Sequence, residues 1–403
     1  MSIETATGMT DEELARIARE YGSPTFVFDI EHFQNRFRKV REIVGPDIQL
    51  CFCIKSNEFL PVSATQVAEK LEVCSPGELA LCEDEGVDPK QIVYSGVNKQ
   101  PEDIREAITY QVGVLTAESP LHVKFIEQEA AKQGVTVDVL LRLSAGSQFG
   151  MCKADLIDII DRRAEYPHIN IVGLHYFVGT QRKKLKHQMK ELVKLQNLIE
   201  SLREEHGFEV QRLEYGPGLA VPYFEDDDFS DDLAPIKELA PKLQEVASQV
   251  ELTVEMGRFF AASCGVYLTK AMDMKSDEDT NFCILDGGIN HLTYAGQNTG
   301  SHVPIITNVS HVGRETAPDS TKNWYLCGSL CSTFDVLVRS VDLEDFRLGD
   351  VLAFHNAGAY SVTEGIYLFL CRTMPRIVLR YDNQTTELAR DFMESYPLSE
   401  LKR

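Results

Sequence analysis

The stretch FCIKSNEF, residues 52–59, puts a lysine where chemistry could be done. The apolar run LCFCI ends abruptly in Lys55, Ser56 and Asn57. A buried ammonium is costly unless it is paired, deprotonated or chemically used. A strand-end lysine can also simply reach water on its aliphatic stem. The choice depends on what else the chain brings to the same place. Arg142 sits in LLRLS, and His175, Phe177, Gly179 and Thr180 in HYFVGT. Gly216 and Gly218 lie in YGPGL, and Glu255, Gly257 and Arg258 in EMGRFF. An amine that attacks a carbonyl must be neutral, which burial favours. Glycine-rich turns let backbone N–H groups close on a phosphate. A carboxylate at the same site could hold a proton on a pyridine nitrogen. Amine, phosphate cradle and carboxylate together point to pyridoxal 5'-phosphate.

These residues need elements to gather them. Short apolar runs recur at 48–54, 71–75, 92–97, 112–117, 135–144, 169–179, 210–216 and 251–257. Helical segments such as PEDIREAITY and KHQMKELVKLQNLIESLREEHG lie between them. Near-continuous apolar strands alternating with helices argue for a parallel sheet covered by helices. Eight such units over about 230 residues match a (β/α)8 barrel of the TIM type, so the fold class is α/β. In such barrels the C-terminal strand ends form the active-site mouth, and every residue named above falls there. Beyond about residue 280, TNFCILDGG, HVPIITNV, NWYLCGSL, DVLAFHNAGAYS and PRIVLRY read as strands with few helices. The expected division is a barrel over 31–276 and an all-β sandwich or barrel from 277–403 that also takes in 1–30, through the early strand PTFVFDI.

The composition narrows the function classes. The 403 residues carry a formal net charge of -22, which disfavours general binding to nucleic acid or an anionic membrane. No apolar run approaches the roughly 20 residues of a membrane-crossing helix. The polar, acidic start MSIETATGMTDEELARIAREYG is no secretory signal, so the expected location is cytoplasmic. The ten cysteines are then expected to be reduced, and their irregular spacing gives no zinc pattern.

In order along the chain, CIKSN, EVCSPGEL, QFGM (148–151), GLHYFVGTQ (173–181), EYGPGL (214–219), EMGRFF (255–260), CGSLCSTFD (327–335) and NAGAYS (356–361) carry a resemblance. The chain resembles the ornithine/diaminopimelate/arginine decarboxylase family, pyridoxal-phosphate enzymes of fold type III with an alanine-racemase-like barrel. The likeness runs from PTFVFD to about residue 372. It implies that Lys55 holds the cofactor and that Glu255 pairs with the pyridine nitrogen. It places Gly218, Gly257, Arg258 and Tyr360 around the phosphate, with Arg142, His175, Phe177, Thr180 and Gly216 also at the cofactor. Cys331 matches the cysteine that reprotonates the substrate carbon after carbon dioxide leaves. Ser332, Asp335 and Arg258 fall at substrate-binding positions. The resemblance also implies a homodimer that shares its active sites across the interface.

Duller readings accompany these roles. His175 and Arg142 could be structural barrel residues, and the glycines could serve only their turns. The chain also departs from the family. Phe177 stands where the family stacks a histidine on the cofactor ring. Ser332 replaces the acid that reads a distal amine, and LDGGINHLTYAGQ lacks the Arg-Pro pair of the diaminopimelate enzymes. Pro217 replaces a glycine, and Met256 a proline. Such changes resemble the decarboxylases of secondary metabolism, which act on siderophore intermediates or on amino acids tethered to a carrier protein. The expected function is decarboxylation of an L-amino acid or a derived intermediate. The alternatives are a racemase or epimerase on the same fold, disfavoured by Glu255 and Cys331, and a non-catalytic regulatory homologue, disfavoured by Lys55 and Cys331.

Overall fold

A computed structural model describes residues 8–315 and 320–401. Its first strand, β1 (Thr25–Asp29), joins a sheet discussed below. The next eight are β2 (Ile48–Cys53), β3 (Lys70–Val73), β4 (Ile92–Tyr94), β5 (Val114–Ala117), β6 (Val137–Arg142), β7 (Ile169–Phe177), β8 (Arg212–Gly216) and β9 (Glu251–Met256). They close into a barrel in chain order. Every adjacent pair is parallel, and the ring closes between β9 and β2, where Cys51 lies opposite Glu255. Each of the eight apolar runs in the sequence lands on one strand. The reason is burial from both sides: Leu50, Phe52, Leu71, Leu213, Leu252 and Val254 are wholly buried.

Local signals set the helices between. Ser75 and Ser119 accept the backbone N–H groups of Glu78 and His122, capping helices Pro76–Asp84 and Pro120–Gln133. Both helices open on proline, whose missing N–H costs nothing at that position. The long helix Lys186–His206 ends at Gly207, in the left-handed conformation that glycine adopts freely.

A second compact unit comprises residues up to Asn35, Val221–Asp231, and the chain from Phe260. Its strands are β1, β10 (Gly265–Ser276), β11 (Asn281–Leu285), β12 (Ile306–Asn308), β13 (Lys322–Cys327), β14 (Val336–Leu343), β15 (Val351–Phe354), β16 (Arg376–Arg380) and β17 (Thr386–Arg390). They form one mixed sheet in the order β14-β13-β11-β10-β1-β16-β17, with β15 beside β10 and β12 beside β15. The early strand β1 lies between β10 and β16.

The second unit is built on this sheet, as expected, with helix Asp11–Tyr21, capped by Thr10, packing Leu14 and Ile17 with Val27, Val266 and Val378. The boundary at 276 needs correction, because not all of that stretch belongs to the barrel. Because β9 already closes on β2, no barrel edge is left for β10, which pairs with β1, β11 and β15 instead. No helix among the described residues is long and apolar enough to cross a membrane.

Candidate active site

Lys55 sits on a single 3-10 turn, Ile54–Ser56, directly after β2. Ser56 Oγ donates to the Cys53 carbonyl at 2.8 Å, and the Asn57 N–H donates to the Ile54 carbonyl at 2.9 Å. Gly257 makes room for this turn, because a methyl group there would come 2.8 Å from the Ser56 Cβ. Lys55 Nζ donates to Glu72 Oε2 at 2.6 Å and lies 3.3 Å from Cys74 Sγ. The Glu72 side chain is 3% exposed, while that of Lys55 keeps 39% of its surface. Burial pulls the Lys55 ammonium down, but the Glu72 charge together with those of Cys74, Cys53 and Glu255 outweighs it, leaving the group well above its ordinary value. Burial likewise pushes Glu72 up, and the lysine overrides it, holding the carboxyl low. The strand-end lysine is therefore paired with a buried acid.

A second carboxyl cluster stands on β7, β8 and β9. His175 Nε2 lies 3.1 Å from Glu255 Oε1, and both side chains are buried. Glu214 joins them, with one ligating atom from each of the three residues within 4.8 Å of the others. Burial first, then the charges of Glu255 and Glu72, pushes the Glu214 carboxyl well above its usual range. Glu255 Oε2 and His175 Nδ1 are buried without a hydrogen-bond partner in the described structure. Buried polar atoms are normally satisfied, so an open carboxylate oxygen marks the place of a missing donor. Gly216 keeps the space beside it open. A methyl group there would come 2.5 Å from both Glu255 Oε1 and Phe177 Cδ2.

The turns after β7, β8 and β9 are strapped together. The Arg182 N–H donates to the Gly218 carbonyl at 3.0 Å, and Arg258 Nε donates to Thr180 Oγ1 at 3.2 Å. Gly218 has φ +60°, and a Cβ there would lie 1.7 Å from the Gly179 carbonyl oxygen, so only glycine fits. A lysine, an acceptor oxygen suited to a ring N–H, and glycine turns with Arg258 beside them fit pyridoxal phosphate.

Arg142 has the structural contacts that the sequence reading left open. It donates to Glu118 Oε1 at 2.6 Å, Glu118 Oε2 accepts the Gly150 N–H at 2.9 Å, and its guanidinium lies 4.8 Å from the Phe149 ring centroid. It thus anchors the QFGM loop.

Four expected residues belong to the second unit. Cys331 is exposed. Ser332 Oγ accepts the Phe334 N–H at 3.2 Å in a local turn. Tyr360 holds φ +67°, and its carbonyl accepts the N–H groups of Thr363 and Glu364. Asp335, expected at the substrate, also has a structural task. Only 2% of Asp335 is exposed, and its oxygens accept the N–H groups of Ile289 at 2.9 Å and Leu330 at 2.6 Å. With both oxygens engaged, the carboxylate fixes the loop that carries Cys331.

Sequence reasoning missed Glu72, Glu118, Glu214 and Lys99. The signal was present in two of them: Glu72 and Glu214 are acids inside otherwise apolar strands, LEV and LEY. Lys99 is 2% exposed and donates to the Ser95 carbonyl at 3.0 Å. Burial pulls its ammonium down to about 8.

Residues 30–262 match the family model described as the pyridoxal binding domain of pyridoxal-dependent decarboxylases. An L-glutamyl-[BtrI acyl-carrier protein] decarboxylase of Niallia circulans is 25% identical, covering 94% of this chain and 93% of that one. A diaminopimelate decarboxylase of Pseudomonas aeruginosa is 29% identical, covering 86% and 85%. Among solved structures, diaminopimelate decarboxylase of M. jannaschii with L-lysine superposes with TM-score 0.83 at 23% identity, over 96% of this chain and 93% of that one.

Proposed function

The chain belongs to the pyridoxal-dependent decarboxylases, and from that premise we propose that it removes the α-carboxylate of an L-amino acid whose far end is held as a thioester on a carrier protein. Its place would be a biosynthetic route to a secondary metabolite. The bound pyridoxal phosphate supplies an electron sink for the carbon that loses its carboxylate. Lys55 would hold that group through Nζ, and Glu72 would pair with its ammonium until the amine sheds its proton. Glu255 Oε2 would keep a proton on the ring nitrogen, which strengthens the sink. His175 and Glu214 would hold Glu255 in position, and Phe177 would cover the ring. Gly218, Gly257, Arg258, Thr180 and Tyr360 would surround the phosphate.

Cys331 would return a proton to the α-carbon, with its loop supplied by a second copy of the chain, as the family resemblance implies. Ser332 leaves no charge to read a distal amine, which argues for a substrate whose far end is not cationic. The relative that acts on a carrier-bound glutamyl group spans 94% of this chain, which favours the tethered substrate. The single observation that carries decarboxylation is the buried open oxygen of Glu255, because an arginine in its place would weaken the sink and favour racemisation.

The test is carbon dioxide release from L-amino acids, offered free and as pantetheine thioesters, by wild type and Lys55→Ala. Borohydride reduction should leave the cofactor mass on the Lys55 peptide. Racemised substrate without carbon dioxide would replace this reading with an epimerase. No adduct in excess cofactor would leave a regulatory protein.

A further inference from the structure

One rim of the barrel is basic in a chain whose net charge is -22. The segment 182–194, RKKLKHQMKELVK, holds six lysines and arginines against a single acid, Glu191. Glu191 is already engaged by Arg182 and by the Tyr215 hydroxyl. Lys186, Lys190 and Lys194 are exposed and follow at i, i+4 and i+8 along helix Lys186–His206. Like charges four residues apart destabilise a helix, so this ladder costs stability unless something uses it. Among the described residues, Lys184, Lys186 and Lys190 have no acidic partner within ion-pair distance.

The ladder borders a groove of about 630 Å³ lined by Leu143, Cys152, Lys153, Lys190, Val193 and Lys194, among others, and by no carboxylate. Val193 is 45% exposed there. Leu143 directly follows β6, and the helix begins where the β7 turn ends, so the groove opens at the mouth end of the barrel.

We propose that this rim is the docking surface for an acidic carrier protein. An acidic helix of the partner would lie on the lysine ladder, and the groove would take the apolar part of the arm that leads the substrate to the mouth. This rests on the reading of a carrier-tethered substrate. The overall negative charge repels an acidic partner, so a local basic patch would decide where it lands and make association salt-dependent. An exposed lysine face with no such partner would be merely solvated.

The probe is a carrier protein loaded with L-glutamate, set beside the L-glutamyl pantetheine thioester. The variants are Lys186→Glu/Lys190→Glu/Lys194→Glu and the gentler set with Gln at the same positions, both as holoenzymes. The reversal should lower kcat/KM on the carrier-bound substrate by at least about tenfold and flatten its salt dependence. Fluorescence anisotropy should show the same loss in binding of labelled carrier protein, while turnover of the pantetheine thioester stays unchanged. Wild-type binding and turnover of the carrier by both variants would overturn the docking surface and leave the proposed reaction standing. If wild type decarboxylates a free amino acid but neither thioester, the tethered reading itself fails and the docking surface falls with it.

Discussion

Replacing Glu72 by glutamine keeps the shape of the side chain and removes the charge that faces Lys55. The two charged atoms are 2.6 Å apart. Their attraction at that distance is about 6 kcal/mol at an effective dielectric of 20, and about 1.6 kcal/mol in bulk water. Lys55 keeps 39% of its side-chain surface open, so solvent screening puts the effect toward the lower end. A loss of about 2–3 kcal/mol is a fall of about 1.5–2 units in the lysine pKa. Glu72→Gln should therefore raise the neutral-amine fraction at a fixed pH below the lysine pKa by about 30–100-fold. The assay is the rate at which apoenzyme captures pyridoxal phosphate at Lys55, trapped by borohydride and mapped by mass spectrometry across a pH series. The midpoint of that profile should move to lower pH. A capture profile that keeps its wild-type midpoint would refute the electrostatic account of the pair.

Three further outcomes follow from other parts of the structure. Gly216→Ala forces a methyl group to 2.5 Å from Glu255 Oε1 and the Phe177 ring, so the purified protein should retain less cofactor, measured as cofactor per chain; full retention would mean the pocket has slack. Asp335→Ala frees the Ile289 and Leu330 N–H groups, so Cys331 should be alkylated by iodoacetamide faster with the barrel still folded, and an unchanged rate would remove the loop-fixing role. Burial holds His355 and His291 down to about 4 from an ordinary 6.5, so the unfolded chain takes up protons first as pH falls. Stability should then drop between pH 6.5 and 4, by up to about 3 kcal/mol per histidine, and His355→Gln should flatten the denaturation midpoint over that range.

The barrel was legible because its signal is local. A strand buried on both faces is a run of apolar residues, and the helix caps are single side chains such as Ser75 and Ser119. The sheet unit was harder to bound. The sequence alone puts residues up to 276 in the barrel, but whether β10 extends the barrel or joins β1 depends on β9 having already closed the ring, which is a property of all eight strands together. The same limit applied at the site. Lys55, Glu255 and the glycine turns stood out by type and position, whereas nothing in the sequence showed that the Asp335 oxygens accept two backbone N–H groups.

The missed acids show what a linear reading lacks at such a site. Glu72 and Glu214 are both buried carboxyls on barrel strands, and their residue type gives no hint that they sit in opposite states. Glu72 faces a lysine and is held charged; Glu214 faces Glu255 and is pushed toward its neutral form. The difference comes from neighbours 17 and 41 residues away in sequence, brought in by the closure of the ring. It also has a functional logic. A lysine at the end of a buried strand is held in place as a paired ammonium by a charged acid beside it. A carboxylate that must keep its charge for a ring nitrogen is better served by a neutral acid than by a second anion, because two adjacent buried anions would drive a proton onto one of them. With Glu214 pushed toward its neutral form and Glu72 held charged, the site carries opposite tendencies at its two ends without any residue whose type announces it.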